Sequence, residues 1–145
     1  MSQLTADRLE TMLTEYGWTF ESTGDNSWRT GFQGEQRLYP LMIQLTSTCV
    51  SFEVRPLIDL TLDSVRCPVL SRDLLELNAR MQVVKVAVSE GGEVSLSCQV
   101  LASGFDSEML SRILGIIGYY ADEVAPEIYH RMAAYGFYGR PTLLS

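Results

Sequence analysis

The chain is 145 residues long and 46% apolar, with a formal net charge of −7. That length is the size of one domain and buries roughly 70% of the surface its unfolded form exposes, enough for a single core, and the apolar share speaks against disorder. The acidic balance argues against nucleic acid, whose phosphates demand clustered basic charge, and against docking on anionic lipid. It fits either plain solubility or a preference for basic or amphipathic partner segments.

The longest strongly apolar stretch, Ile113 to Ala121, falls well short of the ~20 residues a membrane span needs. Asp7, Arg8, Glu10 and Glu15 interrupt the first turns, where a signal peptide would be apolar. A cytoplasmic protein is expected.

In chain order, Leu4 to Tyr16 reads as a helix with Thr5 as N-cap, Gly17 as its left-handed terminator, and Leu9, Met12, Leu13 and Tyr16 as its apolar stripe. Trp18 and Phe20 start a strand. Gly24-Asp25-Asn26-Ser27 turns the chain into Trp28 to Gln33, and Gly34-Glu35-Gln36 turns it into Tyr39 to Thr46. In Cys49 to Arg55, Val50, Phe52 and Val54 alternate with polar residues, as in a half-buried antiparallel strand. Pro56 is expected to end that ladder or to mark an edge. Leu57 to Val69 reads as irregular, with a short helical turn around Asp59 to Val65. Ser71 to Met81 is a second helix. Val84 to Ser89 and Val94 to Leu101 form a hairpin around Gly91-Gly92. Asp106 opens a third helix whose apolar stripe runs through Ile113, Ile117 and Tyr120 to Ala121, with a kink or restart at Pro126.

Leu4 with Leu9, Leu70 with Leu75 and Phe105 with Leu110 each have the spacing of a hydrophobic staple across the N-cap. The order α-β-β-β-β-α-β-β-α, with connections of these lengths, predicts an α+β fold with helices packed on one face of an antiparallel sheet. Residues 1–131 are read as one domain and 132–145 as an aromatic tail carrying Tyr135, Phe137 and Tyr138.

Catalytic chemistry finds little support. Cys49, Cys67 and Cys98 lack the C-x-x-C spacing of a zinc or redox site; Cys67 reads as the most accessible thiol. His130 is the single histidine and has no G-x-S-x-G elbow to serve. Asp59 and Asp63, and Asp122 and Glu123, could pair as acid–base or cation-binding carboxylates, but both read better as solvated faces. Gly91-Gly92 lacks the lysine and spaced glycines of a phosphate loop. No catalytic residue, cofactor or metal is expected. Trp18, Phe20, Trp28 and Phe32 cluster in the first strands. They either pack under the first helix or line a groove for a partner, since rigid aromatics supply contact area at low entropic cost.

The segments Leu74-Leu75-Glu76-Leu77-Asn78, Val84-Lys85-Val86-Ala87-Val88, Gly91-Gly92-Glu93-Val94-Ser95-Leu96 and Gly118-Tyr119-Tyr120-Ala121-Asp122-Glu123, with a fainter Leu13-x-x-x-Gly17-Trp18, resemble the bacterial YbjN-like family. That family has the fold of class I type III secretion chaperones. The likeness covers most of residues 4 to 131. It implies a homodimer that binds extended segments of client proteins, with a seam built around the second helix and the following hairpin; by position, Leu74, Leu77, Met81 and Val83 would form that seam.

The resulting reading is a non-enzymatic protein-binding module, chaperone-like or regulatory, with an unidentified protein client. A small-ligand protein or enzyme with an unfamiliar pocket, and a structural subunit of a larger assembly that docks through its aromatic tail, are the alternatives.

Overall fold

The computed structural model describes residues 3–60 and 68–136. The elements are α1 (Ala6–Tyr16), β1 (Glu21–Gly24), β2 (Ser27–Gln33), β3 (Leu38–Leu45), β4 (Cys49–Asp59), α2 (Pro68–Arg80), β5 (Lys85–Val88), β6 (Glu93–Leu101) and α3 (Ser107–Ala134). The six strands form one antiparallel sheet in the order β1-β2-β3-β4-β6-β5. The fold is therefore α+β, as expected. The first four strands are neighbours in sequence and in space. The chain then leaves through α2, lays β5 at the far edge and returns with β6 against β4.

Alternation decides the two faces of the sheet. Tyr39, Leu41, Ile43 and Leu45 on β3, Val50, Phe52 and Val54 on β4, and Val94, Leu96 and Cys98 on β6 are all buried. The residues between them, such as Met42, Gln44, Ser51, Ser97 and Gln99, are half-buried or exposed. Helix α3 packs on β4 and β6 and touches α1, while α2 packs on β5. Leu9 and Leu13 of α1, Leu70 and Leu77 of α2, and Leu110, Ile117 and Ile128 of α3 close one continuous core.

Two helix starts follow the sequence logic. The Thr5 hydroxyl accepts from Arg8 N at 3.2 Å, and Asp106 Oδ1 accepts from Met109 N at 2.8 Å. At the end of α1, Gly17 adopts φ +94°, its N–H reaches Thr14 O and that of Trp18 reaches Leu13 O. This is a Schellman ending, which needs a residue without Cβ strain at that position.

Four boundaries differ from the expectation, each for a physical reason. Trp18 and Phe20 precede β1 instead of starting it; the Thr19 carbonyl in that segment is held by the Thr30 hydroxyl at 2.7 Å. Strand β4 continues past Pro56 to Asp59 and is central, not an edge. The Arg55–Pro56 bond is cis, and the proline lies in a register shift between Val54 and Ile58, where a bulge asks for no ladder N–H.

Helix α2 starts at Pro68, so Ser71 is interior to it, not its cap. Proline suits the first turn, where its missing donor would be unpaired in any case. Leu70 is buried and Leu75 is 69% exposed, so the staple expected between them does not form. Helix α3 continues through Pro126 to Ala134 without a restart; Val124, Ala125, Ile128 and Met132 are buried on both sides of the proline. The expected turn near Asp59 to Val65, with Asp63 and Cys67, falls largely outside the described residues, as do Phe137 and Tyr138; Asp59 itself closes β4.

Candidate partner-binding surface

A ladder of aromatic rings crosses the β1–β3 end of the molecule. Tyr16 meets Trp18 edge-on at 5.7 Å, Trp18 stacks on Phe32 at 6.1 Å, and Phe32 leans on Tyr39 at 5.3 Å. Arg37 lies over the Tyr39 ring at 5.2 Å, and its Nη1 donates to Leu57 O. The Tyr39 hydroxyl donates to Ala121 O. Burial raises the Tyr39 pKa, Asp122 adds to the rise, and Arg37 opposes it.

The four aromatics singled out from the sequence separate into distinct roles. Trp28 is 1% exposed, and its indole N–H donates to Glu10 Oε2 at 3.0 Å, so it pins α1 to β2 from inside. Trp18 and Phe32 are half-buried in the ladder. Phe20 borders a groove of about 440 Å3 that Gly31, Leu38 and Pro40 also line. A Cβ at Gly31 would stand 3.0 Å from Tyr39 O, so the residue there lies close against the backbone of β3. Leu38 is 63% exposed. On its other side Phe20 borders a hollow lined by Asp7, Glu10 and Glu15 of α1.

The two edges of the sheet differ. At the β5 edge the Asn78 amide, projecting from α2, makes a pair of hydrogen bonds to one residue: Val86 N donates to Asn78 Oδ1 at 2.7 Å, and Asn78 Nδ2 donates to Val86 O at 3.2 Å. Asn78 thereby occupies the position of a further strand. At the opposite edge, every residue of β1 is exposed, and among the described strands β1 pairs only with β2.

Of the residues assigned by resemblance to a seam between copies, Leu74, Leu77 and Met81 are buried in the protomer's own core, whereas Val83 is 57% exposed. Val83 also has φ +75°, a strained conformation for a β-branched residue. It borders a second groove, of about 430 Å3, shared with Gly115, Ile116 and Tyr119 of α3.

The charged groups are mostly structural. Asp73, 6% exposed, accepts from Arg131 at 3.0 Å and from the Tyr135 hydroxyl at 3.1 Å. Arg131 also pairs with Glu127, which pairs with Arg80. Burial alone would lower the Arg131 pKa; Asp73 and Glu127 outweigh it and raise the value. Asp122 and Glu123 diverge: Asp122 accepts from Glu35 N at 2.9 Å, while Glu123 faces solvent. His130 is exposed and meets only the Tyr129 ring edge-on among the described aromatic contacts. Cys98 is buried, which pushes its thiol up to about 11. Among the described residues no group of three or more His, Cys, Asp or Glu is arranged to hold a metal, and no helix is long and apolar enough to cross a membrane.

Sequence reasoning missed Asn78, Asp73, Arg37 and Leu38 as individual contributors. Asn78 stood inside a matched segment, and Asp73 stood on a helix with an arginine-rich surround, but each partner is distant in the chain.

An antiparallel sheet roofed on one face by three helices is also the architecture of secretion chaperones. A chain of the type III secretion complex ExoU–SpcU from Pseudomonas aeruginosa superposes with TM-score 0.56 at 18% identity, covering 81% of this chain and 95% of that one. The Yersinia pestis type III secretion chaperone SycH, crystallised with a fragment of YscM2, matches with TM-score 0.55 at 17% identity over 80% of this chain and 95% of that chain. YbjN from E. coli matches with TM-score 0.68 at 16% identity, over 97% of this chain and all of that one. Residues 5–130 match the YbjN family model, described as "Putative bacterial sensory transduction regulator", and the chain belongs to that family. No curated protein sequence matches it.

Proposed function

We propose that this protein is a non-enzymatic, cytoplasmic homodimer, chaperone-like or regulatory, that captures a segment of a partner protein. The observation that carries this reading is the Phe20 groove beside an unshared strand edge. Phe20, Leu38 and Pro40 offer apolar contact, and β1 ends the sheet next to them, with no further strand on its outer side among the described residues. An incoming extended segment adds backbone hydrogen bonds along β1 and places alternate side chains in the groove. Asp7, Glu10 and Glu15 favour a segment with cationic residues on its α1 side. Trp18 and Phe32 lie outside the lining of that groove, and Trp28 ties α1 to β2 through Glu10. The protein partners crystallised with SycH and SpcU, on the same fold, support protein binding as the kind of activity. Of the four residues the resemblance implies for a seam, Val83 has its side chain at the surface.

The test is affinity capture from native lysate with the wild-type chain and with Phe20→Asp and Leu38→Asp, followed by mass spectrometry. A reproducible partner held by wild type and lost with both variants is expected. A partner retained equally by both variants, or none across several growth conditions, counts against the reading.

A further inference from the structure

The connection between α2 and β5 holds a strained turn. Val84 N donates to Gln82 O at 2.8 Å around Val83, whose φ is +75°. That closes a γ-turn of the rare, strained hand, with a β-branched residue at its centre. Helix α3 anchors the turn, because Gln82 N donates to the Tyr120 hydroxyl at 3.2 Å. The strain buries nothing: Val83 is 57% exposed. Conformations of this kind persist only where their surroundings enforce them, and they gather at ligand clamps.

Val83 lines its groove together with Gly115, Ile116 and Tyr119. A mid-helix glycine weakens a helix, yet an added Cβ at Gly115 would meet nothing within 4 Å, so no close contact among the described residues calls for it. Tyr119 is 60% exposed and meets Tyr120 edge-on at 5.1 Å. A bare notch between an exposed valine and an exposed ring is a seat for one apolar side chain brought close to the helix backbone.

The Tyr119–Tyr120 pair also lines a second hollow, of about 450 Å3, whose charged groups are Arg80, Glu123 and Glu127. Arg80 and Glu127 pair with each other, and Glu127 also pairs with Arg131. Glu123 is exposed and joins no ion pair among the described residues. One carboxylate is thus left without a counter-charge beside an exposed aromatic ring. That combination suits a Lys or Arg side chain, which lays its stem and charge over the ring and its head against the carboxylate. At the notch end the groove is lined by Arg112, which places positive charge there. The charges therefore set the order, with an apolar side chain at Gly115 and a cation at Glu123. These positions are eight residues apart on α3, about 12 Å along its axis. Four residues of an extended segment cover about 13 Å and return to the same face.

We propose that the groove between α3 and the Val83 turn is a second docking site, taking an extended segment of a partner protein in which a Lys or Arg stands four residues from an aromatic or large aliphatic side chain. The apolar side chain sits at Gly115 between Val83 and Ile116, and the cation crosses Tyr119 to Glu123. The site shares no lining residue with the groove at Phe20 and does not depend on it.

The test is selection of random displayed peptides on the full chain, followed by fluorescence anisotropy of labelled hits, with circular dichroism to confirm folding of each variant. Hits are expected to carry the apolar–basic pair at that spacing and to bind Phe20→Asp as they bind wild type. They should lose roughly tenfold or more in affinity for Gly115→Leu and for Glu123→Arg. Selection on Glu123→Arg is expected to exchange the basic residue for Asp or Glu. Leucine is the better helix former, so Gly115→Leu should be at least as heat-stable as wild type while its notch is filled; Glu123→Arg, at an exposed position, decides the matter if Gly115→Leu does not fold. No enriched peptide, or hits without the basic residue, overturn the second site. Hits lost with Phe20→Asp and kept by Gly115→Leu overturn it and leave the Phe20 reading standing. A synthetic peptide of residues 137–145 that binds as tightly and is lost with Gly115→Leu makes this chain's own segment the occupant, and a wild-type dimer that Gly115→Leu dissociates in sedimentation velocity makes it a second copy; either overturns the proposal.

Discussion

Replacing Asn78 by alanine removes two hydrogen bonds from one strand residue and little else. The side chain is half-buried, so the lost packing is small. Each bond contributes about 0.5–1.5 kcal/mol net, which places the loss at about 1–3 kcal/mol. For a domain of this size that lowers Tm by roughly 3–9 °C. Urea denaturation with an unchanged m-value measures the global term. Amide exchange at Val86 measures the local one, because its N–H donates to Asn78 Oδ1.

Asn78→Asp separates the two bonds: it keeps an acceptor for the Val86 N–H but sets a carboxylate against the Val86 carbonyl, so one contact survives and the other becomes repulsive. The expected outcome is a marked loss of protection at Val86 in the alanine variant and retained protection there in the aspartate variant. A stability change below about 0.5 kcal/mol in Asn78→Ala, with Val86 protection unchanged, would refute the claim that this amide seals the β5 edge.

Two further outcomes follow from buried groups. Arg131→Ala leaves Asp73 nine-tenths buried with the Tyr135 hydroxyl as its donor. A loss of about 2–3 kcal/mol is expected, below the range for a fully buried pair because Arg131 is partly solvated; Asp73→Leu combined with Arg131→Met should cost less than Arg131→Ala alone, as chemical denaturation will show. The Cys98 thiol is raised from 9.0 to about 11 by burial, so the native state keeps a proton that the unfolded chain gives up. Its contribution is fully present below pH 9 and is lost as pH rises from about 9 to 11, by about 2–3 kcal/mol. Tyr39, also raised, acts in the same direction. Cys98→Ala should flatten the alkaline slope of stability measured by urea titration, whatever it does at neutral pH; an unchanged slope would count against burial as the cause.

What could be read from the chain and what could not divides along the range of the interaction. Thr5, Gly17 and Asp106 act on backbone within a few residues, so their roles were readable from local spacing. Val50-Phe52-Val54 and Val94-Leu96-Cys98 showed their faces because alternation is a local property. Pro56 was misread because its tolerance depends on where β6 shifts register against β4, some forty positions later. The helix does not restart at Pro126 because Ala125 and Ile128 are buried on either side of it and keep the segment helical, which local propensity does not reveal. Ser71 looked like a cap, yet Pro68 begins the helix three residues earlier. The aromatics show the same limit: Trp28 and Phe20 are alike in composition, and only the pairing of Trp28 with Ile43 tells which points inward. Asn78, Asp73 and Arg37 each take partners on other elements, which no period in the sequence reveals.

The crossover that sets β6 against β4 has a consequence during synthesis. When the ribosome has released β4, the strand that will lie at the heart of the sheet is still a bare margin, because its permanent neighbour is encoded about forty residues downstream. At roughly 5–20 residues per second, the nascent chain waits a few seconds with Val50, Phe52 and Val54 unroofed. A polypeptide built in this order keeps apolar strand surface open to other proteins until its last third has been made.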